Sequence, residues 1–108
     1  MGTIPEPDGY ARVTGKCGDT MEMYLKFENG RVKEAAYGTD GCGSSHVCGS
    51  YAAEMAMGKD PDEVILITGE AILQELERFP EDEQHCAFLA AETLLEALHD
   101  YMTKATKR

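Results

Sequence analysis

Thr20-Met21-Glu22-Met23-Tyr24-Leu25-Lys26-Phe27-Glu28-Asn29-Gly30-Arg31-Val32-Lys33-Glu34-Ala35-Ala36-Tyr37 decides the fold. Met21, Met23, Leu25 and Phe27 alternate with Glu22, Tyr24 and Lys26, the two-residue period of a half-buried strand. Glu28-Asn29-Gly30 interrupts that run, and Asn-Gly is the strongest short hairpin signal. Arg31 to Tyr37 then returns as the partner strand. Upstream, Tyr10 to Thr14 alternates well enough for a further short strand, and Gly15 and Gly18 bracket Cys17 in a turn. The first 40 residues thus read as an antiparallel sheet of three strands. Residues 1–9 are rich in Pro, Gly and acids and read as an extended or flexible lead-in.

Beyond the sheet the composition changes. Ser45 to Met57 is rich in helix formers and ends at Gly58, a residue suited to the C′ position. Asp60-Pro61-Asp62-Glu63 has the N-cap, early proline and acidic first turn of a helix start, with Val64 to Ile67 carrying the short helix. Thr68 caps a third helix over Gly69 to Arg78, which Phe79-Pro80 stops. The last helix is expected from Glu81 to Lys104. Its Cys86, Leu89, Ala90, Leu94, Ala97, Leu98 and Tyr101 lie on one stripe, the pattern of a helix packed on a sheet. Strands first and helices after indicate an α+β fold with the helices on one sheet face. Residues 1–108 read as one domain, without repeat or linker.

Acidic residues outnumber basic ones 20 to 10, for a formal charge of −10. That argues against nucleic-acid phosphates or an anionic membrane surface as partners and leaves a basic protein surface, or solubility, as its use. Met1-Gly2-Thr3-Ile4-Pro5-Glu6 has neither the cationic start nor the apolar run of a secretory signal. Glu6 stands where a myristoylation signal needs a hydroxyl. No apolar stretch is long enough to span a bilayer. The expectation is a cytoplasmic protein, in which four cysteines serve as ligands or reactive thiols rather than two disulfides.

Gly41-Cys42-Gly43-Ser44-Ser45 sets a cysteine between two glycines just ahead of a helix. The missing Cβ atoms let something bulky approach the sulfur. Ser44 or Ser45 can cap the helix, whose dipole favours thiolate over thiol. In Cys17-Gly18-Asp19 the thiol and carboxylate stand two apart, on one face of a strand. Asp19 also suits a plain turn position. His85-Cys86 follows the acidic run Glu81-Asp82-Glu83. Neighbours on a regular helix diverge by about 100°, which sets His85 off the inward stripe that Cys86 joins. Three cysteines at element junctions, with Asp19 and His85, make a mixed metal site plausible, although the spacing has no paired C-x-x-C. Cys48 reads as packing, and His46 reads as solvated or capping before ligand. His99 reads as structural or solvent-facing, and the methionines Met21, Met23, Met55 and Met57 as core filler.

Taken together, Cys17-Gly18-Asp19, Gly41-Cys42-Gly43-Ser44, Gly58-Lys59 and His85-Cys86-x-x-Leu89-Ala90 resemble the IscU/NifU N-terminal family of iron–sulfur cluster scaffolds. The resemblance runs in order through nearly the whole chain, without the insertion between the second and third cysteines that marks the SufU branch. It implies an α+β scaffold, not an enzyme, that receives persulfide sulfur from a cysteine desulfurase and iron. On it a transient [2Fe–2S] cluster is built and handed to apo iron–sulfur acceptor proteins. Cys17, Cys42 and Cys86 match the family's cluster cysteines, Asp19 its labile acidic ligand, His85 its alternative ligand, and Cys86 its persulfide acceptor. Zinc is also implied as an occupant of that site. Thiolates suit both iron–sulfur clusters and zinc, and one hard carboxylate leaves a weak corner for release.

The chain departs from the family pattern where an N-terminal helix and an Asn-Pro-Arg segment are usual, which bears on dimerisation and on the desulfurase contact. Phe79-Pro80-Glu81-Asp82-Glu83-Gln84 replaces the Leu-Pro-Pro-Val-Lys that a dedicated Hsp70-type chaperone grips, so that partner is not expected. His46-Val47-Cys48 stands where the family prefers small residues. The alternative reading is a small zinc protein whose metal is structural or regulatory. A third, a thiol enzyme with Cys86 as nucleophile and His85 as base, ranks last because no oxyanion motif accompanies the pair.

Overall fold

A computed structural model describes residues 4–15, 18–41, 43–77, 79 and 81–106. Strands β1 (Gly9–Thr14), β2 (Thr20–Glu28) and β3 (Arg31–Thr39) form an antiparallel meander in that order. The alternation read from the sequence places Met21, Met23 and Leu25 fully inside the core, with Val32 beside them. Asn29 and Gly30 have φ of 56° and 78°, the two positive values that a two-residue primed turn requires between Glu28 and Arg31. Just past the turn Phe27 opposes Val32 while Lys26 opposes Glu34, so β3 carries one extra residue there. Such a bulge sharpens the local twist.

Helices α1 (Gly43–Ala56), α2 (Pro61–Ile65), α3 (Gly69–Leu76) and α4 (His85–Thr106) follow the sheet, with a single 3₁₀ turn at Glu81–Glu83 before α4. α4 lies across β1 and β2, and α1 packs on β3. The expected stripe on α4 is buried from Cys86 through Leu98, and Tyr101 stacks on Phe27 with ring centroids 3.7 Å apart. Burying a side chain such as Leu94 or Leu98 contributes about 1.5–3 kcal/mol. Close contact of helix and sheet needs small residues: a Cβ on Gly49 would sit 2.6 Å from the Tyr37 ring.

The local signals between helices are realised. Asp60 accepts from the Glu63 amide at 2.9 Å, and Glu63 Oε1 accepts from the Asp60 amide at 3.2 Å, a reciprocal cap that opens α2 behind Pro61. Thr68 Oγ1 accepts from the Ala71 amide at 3.2 Å and opens α3. Gly58 has φ 79°, and its amide donates to Val32 O at 2.8 Å while Val32 N donates to Lys59 O at 2.9 Å. The Gly58-Lys59 turn thereby straps the end of α1 to β3.

Several boundaries differ from the sequence expectation, among them α1, which opens at Gly43 rather than Ser45, and β3, which runs on to Thr39. α2 stops at Ile65 and α3 at Leu76, where Glu77 leaves the helix with φ 58°. α4 begins at His85 rather than Glu81, because the acidic residues form the 3₁₀ turn instead of the first α-turn. Met57, read as core filler, is 44% exposed, one residue past the end of α1 at Ala56.

The opposite sheet face, which no described helix covers, holds a polar cluster. Tyr10 Oη donates a short hydrogen bond to Glu22 Oε2, Tyr24 Oη donates to the same oxygen at 3.3 Å, and the two rings stand 5.0 Å apart. The Glu22 hydrogen bond, then burial, push the Tyr10 hydroxyl up to about 12. No described helix is long and apolar enough to cross a membrane.

Candidate metal centre

Three residues read from the sequence as ligands converge at one end of the sheet. One ligand atom each from Asp19, His85 and Cys86 lie within 4.8 Å of one another. Bond lengths to tetrahedral zinc place its ligands about 3.5 Å apart, so small side-chain adjustments suffice to share one ion. Asp19 is half-buried, His85 exposed and Cys86 fully buried. The set combines carboxylate, imidazole and thiol, donors that suit zinc and iron.

Asp19 is held by the connection between β1 and β2. Its carbonyl accepts from the Gly15 amide at 2.8 Å, and the Gly18 amide donates to Gly15 O at 3.0 Å. Gly18 adopts φ 92°, a conformation that only glycine takes without strain. Beside it, the end of β3 is clipped to the start of β2. Thr39 Oγ1 donates to Thr20 O at 2.8 Å, the Thr20 amide donates to Asp40 Oδ1 at 2.8 Å, and the Gly41 amide donates to Thr39 Oγ1 at 3.0 Å. This clip brings Gly41 against the Asp19 carboxylate: a Cβ on Gly41 would stand 2.9 Å from Asp19 Oδ2.

His85 and Cys86 are the first two residues of α4. The expectation that adjacent helix positions direct them apart does not hold here. His85 has only the 3₁₀ turn behind it, and its ring joins the group that Cys86 faces from the core side.

Cys17 and Cys42, the other two expected ligands, lie outside the described residues. Gly43, after Cys42, has no atom within 4 Å of where its Cβ would be. His46 is turned toward β3, with Nδ1 3.4 Å from the Tyr37 hydroxyl and the rings edge to face at 5.9 Å. Cys48 is a core residue, as read. His99 is exposed on α4, 3.9 Å from Glu96.

Sequence reasoning missed one residue of the centre. Ser45, offered only as a helix cap, is the third residue of α1 and fully buried. Its hydroxyl donates to Asp19 Oδ2 at 3.2 Å and lies 3.5 Å from Cys86 Sγ. These partners are 26 and 41 positions away, so no local pattern could have announced them.

Fold and centre together define a small α+β protein with a thiol–imidazole–carboxylate group where its sheet meets two helices. The chain belongs to the NifU-like N terminal domain family, which it matches over residues 2–108. It is 36% identical over 108 residues to the iron-sulfur cluster assembly scaffold protein IscU 1 of Archaeoglobus fulgidus, covering 99% of this chain and 71% of that one. With the iron-sulfur cluster assembly enzyme IscU of Drosophila melanogaster it shares 39% over 93 residues, 85% of this chain and 60% of that protein. The N-terminal part of a nitrogen-fixing NifU-like protein from Brucella abortus superimposes with a TM-score of 0.73 over 95% of this chain and 85% of that one. At 23% identity that likeness concerns the fold. It is the same three-stranded sheet with helices behind.

Proposed function

We propose that this chain is a scaffold on which [2Fe–2S] clusters are assembled and from which they pass to apo iron–sulfur proteins. The cluster is cargo, held at Cys17, Asp19, Cys42, His85 and Cys86, and released. The observation that carries this reading is the convergence of Asp19, His85 and Cys86 within 4.8 Å, in a chain of the NifU-like family.

Sulfur enters by thiol exchange with a cysteine desulfurase. The Cys86 thiolate attacks the outer sulfur of the desulfurase's cysteine persulfide. A new S–S bond forms at Cys86, the old one breaks, and the desulfurase cysteine leaves as thiolate. Cys86 has no exposed surface, so the donor reaches it only after side chains over the sulfur move aside. Asp19 serves as the weak corner of the cargo site. A hard carboxylate exchanges from iron more readily than a thiolate does.

Anaerobic reconstitution with iron, cysteine and a desulfurase tests the reading. The expected product absorbs in the visible and moves to an apo-ferredoxin. Asp19→Ala is expected to keep its cluster longer and transfer it roughly tenfold more slowly, a barrier difference of about 1.4 kcal/mol. Tightly held, colourless zinc that never exchanges for a cluster would establish the structural-zinc alternative instead. An unchanged transfer rate in Asp19→Ala would remove Asp19 from the release step.

A further inference from the structure

Among the described residues two buried polar side chains stand out, Ser45 and Thr93, each inside a helix. A buried hydroxyl in a helix ordinarily satisfies itself on the carbonyl one turn back. Thr93 does so, donating to Leu89 O at 2.7 Å. Ser45 instead donates out of α1 to Asp19 Oδ2 at 3.2 Å, with Cys86 Sγ at 3.5 Å on its other side. The space for this arrangement is kept by Gly41, where a Cβ would come within 2.5 Å of Ser45 Oγ.

From this geometry we infer that Ser45 is a positioning residue of the metal centre, fixing the Asp19 carboxylate so that Oδ1 is the oxygen left to bind a metal ion. A hydroxyl has one proton, and here it is committed to Oδ2. That hydrogen bond restricts rotation of the carboxylate and disfavours two-oxygen chelation. The 3.5 Å contact with Cys86 registers the carboxylate of the β1–β2 connection against the thiol of α4. Ser45 is not itself a ligand in this role; it acts through Asp19. The inference rests on the reading of Asp19 as a ligand and adds to it the residue that orients the carboxylate.

Cobalt(II) binding to the full chain separates these claims, with affinity from competition titration and geometry from the visible d–d bands. Wild-type protein binds cobalt, and Asp19→Ala binds it more weakly with altered bands. Ser45→Ala is expected to lose about tenfold in affinity, the usual scale for removing an outer-shell partner of a ligand, and to shift the bands. In the Asp19→Ala background, Ser45→Ala should change affinity by less than about twofold, because the two residues act as a unit. Thermal melting of the metal-free variants verifies that each is folded. If Asp19→Ala weakens cobalt and Ser45→Ala leaves affinity and bands unchanged, or the two losses simply add, the inference is overturned and the proposed function stands. If Asp19→Ala itself leaves cobalt binding unchanged, the ligand reading falls and the inference with it.

Discussion

Gly41 has no positive φ, so its glycine is explained by space and not by backbone conformation: a side chain there would displace Ser45 and Asp19 together. Gly18 is the opposite case, fixed by φ 92° with nothing near its missing Cβ. The sequence shows both as glycines beside cysteines and does not distinguish the reasons. Asp19, His85 and Cys86 were legible as candidates because each stands in a short, chemically distinctive run. Ser45 was not, since serine ahead of a helical stretch reads first as a cap. Tyr10 carries a prediction at this scale. Its hydroxyl is raised from about 10 when unfolded to about 12 by the hydrogen bond to Glu22. A raised pKa means the contribution is fully present below pH ~10 and is lost as pH climbs toward ~12. Tyr10→Phe is expected to cost about 1 kcal/mol near neutrality. Urea unfolding from neutral to strongly alkaline pH should show the wild-type advantage shrinking across that window. A difference that stays constant with pH would contradict the assignment.

The hairpin was readable element by element, because the alternation of Met21, Met23 and Leu25 and the Asn29-Gly30 turn are local facts that the sheet keeps. The caps at Asp60 and Thr68 were readable for the same reason. The start of α4 was not. Glu81-Asp82-Glu83 has the composition of a helix's first turn, and nothing in it distinguishes an α-turn from a 3₁₀ turn. The Asp60 cap offers a prediction confined to one element. Its helix is tied to the hairpin end of the sheet by Arg31 and Glu63, 3.3 Å apart. The candidate metal centre lies at the other end of β2, about 26 Å away at strand rise. Asp60→Ala should therefore lower stability by about 1 kcal/mol, a fall in melting temperature of about 5 °C. Cobalt affinity should be unchanged, and a loss of cobalt binding would show that the two ends are coupled.

At the scale of the whole molecule, helices cover one face of a three-stranded sheet and bring α1, α4 and the β1–β2 connection to a common edge. The order of strands and helices announced that architecture, whereas the meeting of residues 19, 45 and 86 is a product of folding that no window of sequence contains. A charge of −10 favours basic surfaces on any protein partner of the molecule. The proposed function gathers sulfur and metal where Asp19, His85 and Cys86 meet. The most direct test is peptide mass spectrometry after anaerobic incubation with a cysteine desulfurase and cysteine. Added sulfur is expected on the peptide carrying Cys86, and its loss in Cys86→Ser. Sulfur appearing only on the peptides of other cysteines, or loading that persists in Cys86→Ser, would contradict it.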